Sequence, residues 1–206
     1  MFSQTKQKLN HTDIENKFLE CDLKVSLNST NGAEENISIK EIIARAKEAG
    51  KALIITFTPG PFKPEDELPM GWLNNKLAMG CTTQLNHFES ALEAEQLNAI
   101  VININKHDAV YQAGNQGLLA KKNLRNLWMI SDKDNILEQT FGLATIKVNN
   151  QSYFERFTLV VTPDGRVKAF DLASPVNDVA AANHIEEINQ FIVPKLERQN
   201  SCVIVW

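Results

Sequence analysis

A chain of 206 residues, 43 % hydrophobic and 22 % charged, is long enough for one domain to bury a core without a disulfide or a metal. Its formal net charge of −4 offers no basic footprint for nucleic acid or an anionic membrane, and no apolar run approaches bilayer-spanning length. The amino-terminal stretch lacks the layout of a secretory leader, and Cys21, Cys81 and Cys202 have no metal-ligand spacing, so free thiols in a reducing cytoplasm are expected.

Residues 1–20 are polar and loosely patterned, and DLKVSLN (22–28) alternates as a strand before a turn-rich NSTNGAEEN. ISIKEIIARAKEAG (37–50) has helical spacing at Ile39, Ile42, Ile43 and Ala46 and stops at Gly50. KALIITF (51–57) is apolar throughout, as a buried parallel strand would be. Pro59, Pro61, Pro64 and Pro69 then make 58–71 a loop. CTTQLNHFESALEAEQ (81–96) reads as a helix, LNAIVININ (97–105) as a second buried strand, and 107–122 as a helix interrupted by Gly114 and Gly117. NLWMIS (126–131) is a third strand, followed by a short helix, NILEQTFG (135–142).

From residue 144 the pattern changes to antiparallel strands. ATIKVNN, SYFERFTLVV and RVKAFDLA are joined by the turn sequences NNQS and TPDG. A long amphipathic helix covers 176–199, with Pro194 as a kink or end. With no repeat, low-complexity tract or linker, residues 1–206 form one α/β domain, a mixed sheet with helices on both faces.

Cys81 stands at the start of a predicted helix, where free N–H groups and the positive end of the helix dipole favour a thiolate. A thiolate attacks the O–O bond of a peroxide to give a sulfenic acid. The plain alternative is a small buried apolar residue. Arg156 breaks the apolar pattern of YFERFTLVV. It is either a solvated strand residue or a guanidinium that holds the thiolate and polarises the peroxide. Leu68, Met70, Trp72 and Leu73 form an apolar cluster that needs burial, as a lid or in an interface. Trp72 and Trp128 are packing residues, and His11, His87, His107 and His184 share no motif.

KALIITF followed by TPGPFKP, then GCTTQLNHF, NLWMISDKDNILEQTFGL and ERFTLVVTPDGRV, resembles the peroxiredoxin family in order and spacing from about residue 37 to 192. The likeness is nearest to the Q-type and five-type branches. It implies a thioredoxin-like fold and a peroxidase without metal, haem or flavin. In that reading Cys81 is the nucleophile, Arg156 its electrostatic partner, and Pro59 shapes the loop and shields the sulfur.

The chain departs from the family pattern by an insertion at 65–79. The threonine that bonds thiolate and peroxide is replaced by Lys63 or Ala78, depending on the end from which one counts, and Thr82 follows the cysteine. The Q-type resolving position is Asn86. By resemblance to two-cysteine members with C-terminal resolving arms, Cys202, in the tail 200–206, is the candidate resolving cysteine. Cys21 is read as a core thiol, and an external thiol resolves if neither does. Thioredoxin, glutaredoxin or a small thiol is the implied reductant, and a homodimer the implied assembly. The alternative function is a thioredoxin-fold binding or regulatory protein that has lost peroxidase geometry. A thiol–disulfide oxidoreductase is disfavoured because no Cys-x-x-Cys occurs.

Overall fold

The computed structural model describes residues 24–28, 34–62, 67–108, 111, 127–172 and 175–193. Among these, strands β1 (Lys24–Asn28), β2 (Glu34–Ser38), β3 (Ala52–Phe57), β4 (Ala99–Asn105), β5 (Leu127–Ser131), β8 (Phe157–Val161) and β9 (Val167–Asp171) form one sheet, ordered β2-β1-β5-β4-β3-β8-β9. The central β3–β4 and β4–β5 pairs are parallel and the flanking pairs antiparallel, so the sheet is mixed as expected. β6 (Thr145–Val148) and β7 (Gln151–Phe154) make a separate hairpin.

Alternation along the strands divides the core in two. Leu53, Ile55 and Phe57 of β3, with Ile102 and Ile104 of β4, face helix α1 (Ile39–Glu48) and helix α3 (Ile136–Phe141). Ala52 and Ile54, with Val101, face helix α2 (Cys81–Glu93) and helix α4 (Asp178–Ile192). Each fully buried Leu, Ile or Phe in these layers contributes roughly 1.5–3 kcal/mol of transfer free energy. Helices on both faces of a mixed sheet give the thioredoxin-like architecture expected from the sequence. No helix among the described residues is long and apolar enough to cross a membrane.

Three expectations need correction. The segment read as turn-rich ends in β2, so the following helix starts at Ile39 rather than 37. Ser38 caps it through a reciprocal box, its hydroxyl accepting from Glu41 N–H while the Glu41 carboxylate accepts from Ser38 N–H. SYFERFTLVV is two strands, β7 and β8, with Glu155 and Arg156 between them. The apolar cluster of the insertion divides. Trp72 is buried against Ile146, Val148 and Tyr153, whereas Leu68, Met70 and Leu73 are exposed. The NNQS turn is as expected, with positive φ at Asn149 and Asn150 closing β6–β7 in the left-handed pair of a two-residue hairpin. Lys63, most of the helix proposed at 107–122, Pro194, Cys21 and Cys202 lie outside the described residues.

Candidate active site

The site forms where three chain segments converge on the end of β3. Phe57, the last residue of β3, stacks on Phe157 at 4.4 Å between ring centroids and meets Phe154 edge-on at 5.4 Å. These two aromatics bracket the Glu155–Arg156 junction. Because β7 pairs in the hairpin and β8 in the main sheet, the chain must change direction between them. Arg156 is therefore released from strand alternation and turned inward, only 4 % exposed.

After β3 the chain enters the proline loop. Pro59 is buried, and Gly60 adopts φ +110° with its backbone against the His107 ring. Thr58 is fixed by the Asn103 amide, which donates to Thr58 Oγ1 at 3.0 Å and Thr56 Oγ1 at 2.9 Å. Asn105 then donates to Asn103 Oδ1 at 3.0 Å, extending a fully buried polar ladder across the two parallel strands. The insertion closes with two single-turn 3-10 helices, Trp72–Asn74 and Lys76–Ala78, and returns to α2 through Met79 and Gly80.

Gly80 is the N-cap of α2 at φ +94°, and a Cβ there would lie 2.5 Å from the Val176 carbonyl oxygen. Both the dihedral and the space require glycine. Gly80→Ala is expected to cost at least about 2 kcal/mol in denaturant unfolding and to slow any chemistry at Cys81. An alanine that left both unchanged would mean that the approach to Val176 is not needed.

Cys81 is the first residue of α2, 4 % exposed and a free thiol. Leu85, Phe88 and Leu92 bury one face of this helix and so set its position. When protonated, the thiol donates to the Ala78 carbonyl at 3.7 Å. Arg156 Nη2 donates to Cys81 Sγ at 3.1 Å and to the Met79 carbonyl at 3.1 Å, while Nη1 donates to Gln84 Oε1 at 2.5 Å. One guanidinium thus joins the sulfur, the backbone before it and a side chain one turn further along α2. The network comprises Cys81, Arg156 and Gln84, with Pro59 outside it.

Gln84 and His184 are the residues that sequence reasoning missed. The signal for Gln84 is a polar residue three positions after the cysteine, on the buried stripe of α2. His184 lies on the apolar stripe of α4 with Ala181, Ile185 and Ile188, and its Nε2 shares a 2.9 Å hydrogen bond with Thr158 Oγ1. Burial, and secondarily the Arg156 charge, hold its pKa down at about 4. The unfolded chain therefore takes up a proton near pH 6.5 that the folded chain refuses until about pH 4. This depressed histidine lowers stability as pH falls through that window, by roughly 3 kcal/mol at the acid end. Paired unfolding curves for the native protein and His184→Gln between pH 7 and 4 are expected to converge or cross as pH falls. Parallel curves would contradict the assignment.

Thr82 is exposed, so it does not cover the sulfur, and Ala78 brings no hydroxyl. His87 bonds Asp178 across α2 and α4, away from the cysteine. What the geometry offers chemically is one nucleophilic sulfur at a helix N-terminus, held by a buried cation that has further donors to give.

No family model and no curated protein matches the chain. Solved structures do, and three of them follow. A Xanthomonas campestris bacterioferritin comigratory protein aligns at 20 % identity over 83 % of this chain and 90 % of its own, with a TM-score of 0.52. A mutant of Xanthomonas campestris peroxiredoxin Q aligns at 20 % identity, 84 % and 92 % coverage, and TM-score 0.54. Mycobacterium tuberculosis peroxidoxin BcpB aligns at 15 % identity, 84 % and 96 % coverage, and TM-score 0.54. The chain shares the fold of these proteins.

Proposed function

We propose that this chain is a thiol-dependent peroxidase that reduces hydrogen peroxide or organic hydroperoxides through a sulfenic acid on Cys81. The observation that carries this reading is the 3.1 Å contact of Arg156 Nη2 with Cys81 Sγ, both residues buried, at the start of a helix. The Cys81 thiolate attacks one peroxide oxygen, forming an S–O bond as the O–O bond breaks. The sulfur loses two electrons and becomes a sulfenic acid, and the leaving oxygen departs as hydroxide or alkoxide and takes up a proton. Arg156 serves twice, holding the thiolate before attack and the leaving oxygen's charge as it develops. Pro59 shapes the loop that keeps bulk water from the sulfur.

The shared fold supports this reading, as does the alkyl peroxide reduction activity of the bacterioferritin comigratory protein. Cys202 is the candidate to resolve the sulfenic acid as a disulfide. Thioredoxin, glutaredoxin or a small thiol completes the cycle, and we infer a homodimer working in the cytoplasm. Excess dithiothreitol with limiting enzyme tests the cycle. Many turnovers of peroxide per chain are expected, and consumption no faster than the dithiol alone would reject it. The absent hydroxyl at Ala78 favours a second reading, a thioredoxin-fold binding protein without turnover, and that is what the negative outcome would leave.

A further inference from the structure

We propose that Gln84 is a catalytic residue, its Nε2 amide donating a hydrogen bond to the bound peroxide, since neither Ala78 nor the exposed Thr82 brings a hydroxyl to the sulfur. The inference rests on the peroxidase reading above. Gln84 is 1 % exposed, and its orientation is fixed because Oε1 accepts from Arg156 Nη1. Nε2 must then face away from that nitrogen, and it is buried without a hydrogen-bond partner. Arg156 Nε, in the same cluster, is likewise buried and unpartnered. An unsatisfied buried donor costs about 1–3 kcal/mol, and such donors are rare in folded proteins. Two of them belong to the two side chains tied together beside one nucleophilic sulfur, a place where an oxygen-rich ligand would satisfy both.

The position suits the role. Three residues along a helix is a rotation of about 300°, so Gln84 stands on the same face as Cys81, one turn deeper. The two positions where a hydroxyl is looked for beside the sulfur do not substitute. Ala78 has only a methyl group, and Thr82 is exposed. In the proposed step the sulfur attacks one oxygen while the amide and guanidinium N–H groups hold the peroxide. The oxygen that leaves carries the developing negative charge toward fixed donors, without reorganisation of water. A carboxylate at this position would anchor Arg156 equally well but could donate nothing.

That difference provides the test. Gln84→Glu keeps the acceptor for Arg156 and loses the donor, whereas Gln84→Met loses both without adding charge. For each protein, the rate of sulfenic acid formation with hydrogen peroxide is divided by the rate of Cys81 alkylation with iodoacetamide. The ratio cancels changes in the thiolate population, because both reagents need it. If Gln84 contacts the peroxide, the ratio falls at least about tenfold in both variants. A ratio that falls in Gln84→Met but stays native in Gln84→Glu would overturn the proposal, leaving Gln84 as an anchor for Arg156. Native protein that alkylates normally yet gives no sulfenic acid would remove the peroxidase reading itself, and this inference with it.

Discussion

Cys81→Ser is expected to lower the rate of peroxide reduction by at least about a thousandfold, with the fold intact. A serine hydroxyl is a weak nucleophile at neutral pH and forms no sulfenic acid, so the first bond-making step has no substitute. The substitution is nearly isosteric, and the hydroxyl can still accept from Arg156 Nη2 and donate to the Ala78 carbonyl. Unfolding free energy is therefore expected to stay within about 1 kcal/mol of native, which separates lost chemistry from lost structure. Stopped-flow peroxide consumption alongside denaturant unfolding checks both halves. Residual peroxidase activity in Cys81→Ser would move the reaction to Cys21 or Cys202.

Arg156→Met is expected to lower the same rate by about 10²–10³-fold, the usual loss on removing a donor aimed at developing charge. Its three bonds, to Sγ, Met79 O and Gln84 Oε1, cannot all be made by a compact ammonium group, so Arg156→Lys should recover little. Stability should also fall by about 1–3 kcal/mol, because the Met79 carbonyl and Gln84 amide oxygen lose a buried partner. Alkylation of Cys81 by a neutral reagent should slow less than peroxide reduction does, since only the peroxide develops charge on oxygen. Equal slowing with both reagents would confine the arginine to the sulfur.

The strands and helices that build the core were legible because their burial follows simple periods. KALIITF is an apolar run that became β3, the apolar stretch Ala99–Ile102 opens its parallel partner β4, and α1 and α4 follow helical spacing. Cys81 at a helix start was legible for the same reason. The environment of Arg156 was not. YFERFTLVV reads as one strand because nothing local marks that its halves pair in different sheets, and only the tertiary partners of Phe154 and Phe157 break it. The β2 strand was hidden because Asn and Glu favour turns, yet the backbone of EENIS pairs with β1.

Buried polar groups were the least legible part. Asn103 and Asn105 alternate with isoleucine, which suggests one wet face, but both are fully enclosed by the ladder to Thr56 and Thr58. Gln84 and His184 sit on apolar helical stripes, and their value depends on partners 72 and 26 residues away in sequence. Trp72 shows the same limit in the insertion. Its burial against Tyr153 follows from the β6–β7 hairpin, whereas Met70 and Leu73, equally apolar, remain 81 % and 67 % exposed.

The most direct test is intact-protein mass spectrometry after one equivalent of hydrogen peroxide, with a sulfenic-acid trap present from the start. Rapid addition of one trap molecule, mapped by peptide fragmentation to Cys81, is the result predicted here. Folded protein that stays at its native mass for minutes would contradict the peroxidase account.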